Sequence, residues 1–452
     1  MTTHGAAQGR TVAGQLAEFF VDVKADALPP LAYERARMAI ASTVSSAAMG
    51  YGIDSSRIFR ELAYDRGGTP EASIWFDTGA QLPLVDAARA NAVASDAAAS
   101  DDSDLRQIAH TGTTVTSTGL AVGERTGAAG RDILAAMIVG YEAAGRICET
   151  VRSSEMGIHT GVITIFGATV TAGRLLHLDH AQMTNAIALA ATSIGGISAA
   201  SNTSLAREYD AGLAVTLGMT AAMAGQKGFP AETRILEMPR GFFEIYGAVD
   251  PDSVTRDLGG SWDIATNMAI KLIPGGHPSH GAVYAAEEAA RMAKARPEDI
   301  EAIIVRAPAY RPLLHPTDLV GVAHSVTFMV ACAVADGAYT WAHASEEKIH
   351  DPVIWALQEK VRGGDAPPNA AALAVNRGGC VTIRTKSGQE FTATVEAPRG
   401  SAPTGIDWAD VDEKYRTLAP LAVRSEHLEA SLQAIHDFES APDGKALIEL
   451  LR

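Results

Sequence analysis

Four short clusters carry the side chains best suited to moving a proton or gripping an anion. The first runs Ser100-Asp101-Asp102-Ser103-Asp104 and on through Arg106 to His110. It joins two apolar helical stretches and places His110 just before a helix start. A helix N-terminus lowers the pKa of a nearby imidazole and attracts a carboxylate, so the position suits a neutral base or an anion pocket. Any one of Asp101, Ser103 and Asp104 can equally serve as a helix cap. The second cluster, Gly157-Ile158-His159-Thr160-Gly161, opens a helix of small residues. There His159 either faces a cavity or is packed as a core residue.

The third cluster, Ala206-Arg207-Glu208-Tyr209-Asp210, puts charges at the start of an Ala/Gly-rich helix. Buried charges need partners. Arg207 therefore pairs with Glu208 or Asp210, or forks a substrate carboxylate. The fourth, Lys271-Leu272-Ile273-Pro274-Gly275-Gly276-His277-Pro278-Ser279-His280, combines a lysine, two histidines and a glycine turn. It reads as an anion-friendly turn or as an interdomain linker. His277 and His280 have no third ligand near them in sequence, so no metal is expected.

The rest of the chain excludes several classes. A formal net charge of -16, without any Lys/Arg run, argues against nucleic acid as a partner. No phosphate-binding loop, dinucleotide fingerprint or nucleophile elbow occurs, so no cofactor is expected. Three cysteines without paired spacing fit a reducing compartment, the cytoplasm. Met1 to Arg10 shows no secretory signal, and apolar stretches such as Ile187 to Ala200 are shorter than the roughly 20 residues of a membrane span.

The clusters need elements to position them. At 452 residues, with 47% hydrophobic and 20% charged, the chain predicts a globular protein of two domains. Three-and-four apolar spacing predicts helices over 11–25, 31–49, 83–99, 115–123, 131–151, 164–176, 181–194 and 211–226. Ala and Gly density there lets helices approach closely. After about residue 265 the pattern becomes α+β, with strands at 302–307, 381–385 and 390–395 and helices at 280–293 and 325–339. From Trp408 the chain is helical again and can return to the first domain.

At the four clusters, and over nearly its whole length, the chain resembles the MmgE/PrpD superfamily, which includes 2-methylcitrate dehydratase, cis-aconitate decarboxylase and iminodisuccinate epimerase. The likeness implies a mainly α fold: a large all-helical domain built from both chain ends, here 1–268 and 403–452, and a smaller α+β lid, 269–402. It also implies a homodimer, a site between the domains without obligatory metal, and a small di- or tricarboxylate substrate. Matched residue by residue, the acidic stretch falls on Asp101, Asp102 and Asp104, and the histidines on His110 and His159. The basic pair falls near Arg207, and the lysine and nearby histidine on Lys271 and His277. The chain departs in having His110-Thr111 and His159-Thr160 where the family has His-Pro, and Arg207 where it has lysine.

The resemblance implies proton transfer at a carbon next to a carboxylate, with cations stabilising the charge that develops. On that basis His110 is expected as general acid/base, and His159 and Lys271 as charge stabilisers or a second proton donor. Asp102 or Asp104 is expected to orient His110. Arg207, His277 and Asp101 are expected to bind substrate. Dehydration is the expected outcome, with decarboxylation, epimerisation or a catalytically silent binding protein on the same scaffold as alternatives.

Overall fold

The computed structural model describes residues 10–452 apart from 154, 202, 308–312, 366 and 368. The first nine residues, most of the stretch read as lacking a signal, lie outside the described residues. The chain is mainly helical. Its larger part contains α1 (Val12–Asp22), α2 (Pro30–Gly50), α3 (Asp54–Arg66), α4 (Leu84–Ala97), α5 (Thr111–Thr126), α6 (Gly130–Thr150), α7 (Ile165–Leu175), α8 (His180–Thr192) and α9 (Ala206–Gln226). Pro30 opens α2, where a missing N–H costs nothing, and the left-handed Gly127 closes α5.

Small residues let these helices approach closely. A Cβ added at Gly140 of α6 would stand 2.0 Å from Thr171 Oγ1 and 2.7 Å from the Gly167 carbonyl oxygen of α7. Any side chain at position 140 would push the two helices apart.

The smaller part holds α10 (His277–Ala293), α11 (Val326–Asp336), α12 (Pro352–Gln358) and α13 (Ala370–Asn376). They accompany a sheet of order β4-β3-β5-β6, formed by β3 (Ile300–Arg306), β4 (Val361–Gly363), β5 (Gly379–Thr385) and β6 (Glu390–Val395). β3 pairs parallel with β4 and antiparallel with β5, and β5 forms a hairpin with β6. The chain ends in α14 (Trp408–Leu418), α15 (Leu428–His436) and α16 (Lys445–Leu450).

Two buried apolar clusters follow this arrangement. One draws on residues 13–270 and again on 406–451; the other is confined to residues 273–393. A small ladder that the sequence patterns did not announce adjoins the larger cluster, which includes Met268 and Ile270. β1 (Asp102–Asp104) pairs antiparallel with β2 (Met268–Ile270), with Asp102 opposite Ile270 and Asp104 opposite Met268. This ladder carries the acidic stretch up to the turn that bears Lys271. No helix among the described residues is long and apolar enough to cross a membrane.

Candidate active site

The acidic stretch is extended, so alternate side chains leave it in opposite directions. Asp101 and Ser103 go one way. Lys271 Nζ donates to Asp101 Oδ1 at 2.6 Å, and His277 Nδ1 lies 2.9 Å from Ser103 Oγ. His110, the residue just before α5, puts Nδ1 2.8 Å from Asp101 Oδ2 and 2.5 Å from Asp96 Oδ1. Asp96 sits in the last turn of α4, and its other oxygen accepts from Arg207 Nε at 2.7 Å. A continuous row of alternating charge results: Arg207, Asp96, His110, Asp101, Lys271. Every member is at least nine-tenths buried.

The row sets the protonation states. Burial alone would raise Asp101, but His110 and Lys271 outweigh it and hold the carboxyl down to about 2. Asp96 is likewise held well below the usual carboxylate range, because Arg207 and His110 overcome its desolvation. Burial would lower His110, and Lys271 works the same way, but Asp101 and Asp96 push it up to about 9. The helix N-terminus alone suggested a neutral imidazole at this position. Two carboxylates on one ring nitrogen override it, and His110 is an imidazolium at neutral pH. Its Nε2 has no protein partner among the described residues.

His159 lies beside it, with ring centroids 6.3 Å apart. Burial, and then the charge on His110, lower it to about 4, so it is a neutral imidazole. Its Nδ1 is 3.5 Å from Asp210 Oδ2, too far for a hydrogen bond, and is left unpartnered. Other buried atoms here also lack a protein partner among the described residues: Ser100 Oγ, Thr111 Oγ1, His277 Nε2 and His280 Nδ1 join His159 Nδ1. Burial and neighbouring positive groups keep His277 well below its ordinary value and His280 at about 3.

Asp102 and Asp104 go the other way, and neither touches His110. Asp102 Oδ2 accepts from Gly112 N (3.1 Å) and Tyr141 OH (3.3 Å), and burial raises its carboxyl to about 6. Asp104 binds Arg106, which also reaches Asp263 and Glu149. The carboxylates that orient His110 are therefore Asp96 and Asp101. Arg207 likewise differs from its two expected pairings. Its hydrogen-bonded partner is Asp96, whereas Glu208 lies 4.0 Å away and accepts from Ser55 instead.

Two residues that the sequence reading missed complete the site. Asp96 is a buried carboxylate in the last turn of a helix rich in small apolar residues, a signal like the one that singled out Arg207. Lys414 lies on the apolar face of α14 with Val411, Tyr415 and Leu418, and is 2% exposed. Its Nζ donates to the Ser100 carbonyl (2.5 Å) and Ser42 Oγ (2.8 Å), and burial lowers it to about 7.

Asp96, Asp101 and His110 bring three ligand atoms within 4.8 Å of one another, close enough for a metal ion. Arg207 and Lys271 already neutralise those carboxylates, so the donor set lacks the spare negative charge that a divalent cation needs.

Family models match both parts of the chain: the MmgE/PrpD N-terminal domain over residues 14–253 and the MmgE/PrpD C-terminal domain over 274–439. The chain belongs to the MmgE/PrpD family. Asp96, His110, His159 and Arg207 lie in the first matched segment and His277 in the second; Lys271 falls in the stretch between. Among family relatives, a cis-aconitate decarboxylase of Aspergillus terreus is 24% identical over 97% of this chain and 96% of its own. The human cis-aconitate decarboxylase is 22% identical over 93% and 90%. The 2-methylcitrate dehydratase of Salmonella typhimurium is 24% identical over 61% of each chain.

Proposed function

We propose that this protein is a lyase acting on a small di- or tricarboxylate, and that it eliminates water by proton transfer between two unlike imidazoles. The observation that carries the reading is the side-by-side placement of a cationic His110 and a neutral His159. His159 accepts the proton from the carbon next to a carboxylate. The electrons of that C–H bond form the new C=C bond. His110 Nε2–H protonates the departing hydroxyl, which leaves as water. Lys271 offsets the charge that develops on the carboxylate.

Decarboxylation is the second reading, favoured by near full-length similarity to cis-aconitate decarboxylases. It needs only the donor: CO2 departs and the carbon that receives its electrons takes the His110 proton. Incubation in D2O with citrate, 2-methylcitrate, cis-aconitate and amino- and hydroxydicarboxylates separates the outcomes. Water loss supports the first reading and CO2 release the second. Deuterium entry without net loss of either would replace both by an isomerase. No change in any of them would overturn the assignment.

The working unit is read as a dimer of this chain. The exposed apolar side chains of Ile58 and Leu62 on α3, and the exposed Tyr209 whose ring lies 5.9 Å from that of Phe59 on the same helix, support that reading. A monomer mass in solution would count against it.

A further inference from the structure

The row described above assigns Arg207 a role different from that of a substrate anchor. We propose that Asp96 is the positioning residue of this site and that Arg207 acts through it, holding the His110 ring rather than gripping substrate. This rests on the reading of His110 as the proton donor.

Three observations carry it. First, Asp96 bridges the two residues directly, one oxygen on His110 Nδ1 at 2.5 Å and the other on Arg207 Nε at 2.7 Å, with its side chain 1% exposed. Second, Arg207 spends its other hydrogen bonds on the end of α4. One Nη donates to the main-chain oxygens of Asp96 (2.5 Å) and Ala97 (3.3 Å). A cation is favourable there because the last carbonyls of a helix are negative and lack helical partners. The Nε edge of the guanidinium, one of the edges that can fork a carboxylate, is thus filled by protein. Third, with Nδ1 held by Asp96 and Asp101, the only ring nitrogen left to meet a substrate is Nε2.

The arrangement is an arginine that fixes a carboxylate, which fixes the tautomer and tilt of an imidazole. His110 is faced by Asp96 from α4, by Asp101 and Lys271 from the strand ladder and its turn, and by His159 from the segment before α7. Of these, Asp96 alone links it to Arg207. An arginine at this place carries the positioning task without needing to release a proton, which suits its permanent charge.

The test uses full-length protein carrying 15N-labelled histidine, with the His110 resonances assigned by their loss in His110→Ala. Expected in Asp96→Asn is a fall in the His110 titration midpoint by at least about one pH unit, since one of its two carboxylates has gone. Asp96→Glu restores the midpoint toward that of the unaltered chain. Arg207→Met changes the His110 resonances when Asp96 is present and leaves them unchanged in the Asp96→Asn background. Calorimetry with citrate gives the second readout, in which Arg207→Met leaves binding within about threefold, well under the tenfold that 1.4 kcal/mol represents.

Two results would overturn the proposal. One is a His110 midpoint indifferent to Asp96→Asn. The other is equal, additive effects of Arg207→Met with and without Asp96. Neither NMR measurement needs turnover. If the midpoints behave as expected while His110→Ala keeps full activity, the lyase reading fails and the positioning role stands.

Discussion

Two ionic clusters occupy the two faces of one short strand, and both pair arginine with buried aspartate. On one face, Arg207, Asp96, His110, Asp101 and Lys271 form a row with idle atoms beside it: His110 Nε2, His159 Nδ1 and His277 Nε2 have no protein partner among the described residues. On the other face, Arg106 uses Nε and both terminal nitrogens on Asp104, Glu149 and Asp263. Glu142 accepts from Asp263 N and from Arg146, and Arg146 goes on to the carbonyls of Val254, Arg256 and Asp257. The second cluster is closed and braces α6 against the segment before β2. The contrast teaches that buried Arg–Asp pairing alone does not separate a candidate site from a structural brace. Unspent hydrogen-bonding capacity does.

The largest effect that can sharpen this division is His110→Ala. It is expected to lower kcat by about 10²–10⁴-fold, and to lower the unfolding midpoint as well because two buried carboxylates lose one of their cations. The accompanying pH profile has a definite sign. His110 is pushed up to about 9, so activity that needs its proton is nearly full at neutral pH and is lost as pH rises through about 9. In Asp101→Asn that alkaline loss moves to lower pH. An unmoved limb would mean that Asp101 does not support the imidazolium.

Next in size is Arg106→Met, which leaves buried carboxylates without their cation. It should cost about 3–5 kcal/mol in urea denaturation, with kcat kept within the same order of magnitude. A kcat loss as deep as that of His110→Ala would erase the distinction between the two faces.

A smaller effect is expected at the boundary between them. A Cβ on Gly112 would stand 2.2 Å from Asp102 Oδ1. Gly112→Ala should therefore cost about 1–3 kcal/mol by overpacking, read as a lower thermal midpoint, and Asp102→Ala in the same chain should recover part of it. The smallest effect is expected for an exposed pair belonging to neither face. Arg416 donates to Glu429 at 2.8 Å on the surface. Arg416→Ala should change stability by less than about 1 kcal/mol, and a larger loss would show that surface pairs matter here as much as the buried brace.

The long elements were legible because their apolar spacing was regular. The helix expected over 131–151 is Gly130–Thr150, and the strand expected over 390–395 is Glu390–Val395. The site was legible as a set of candidates but not as a set of contacts. Asp101, Asp102 and Asp104 read as one acidic group in sequence, and extended backbone sends them to opposite faces. No one-dimensional signal marked that split, because a three-residue strand is too short to show alternation. The helix-terminus argument for a neutral His110 failed for a related reason: a nearby peptide dipole is visible in sequence, whereas a carboxylate arriving from α4 is not. Asp96 and Lys414 did leave a trace, each being a charge on the apolar side of a helix.

The bond from Lys414 to the Ser100 carbonyl spans 314 positions. During synthesis at about 5–20 residues per second, Ser100 emerges roughly 15–60 seconds before its partner exists. The nascent acidic strand has to wait in an unfinished core, and the large apolar cluster lacks its last side until α14 to α16 leave the ribosome. Ribosome-bound chains halted near residue 400 should accordingly stay open to protease throughout their first 270 residues, and chains released at full length should not.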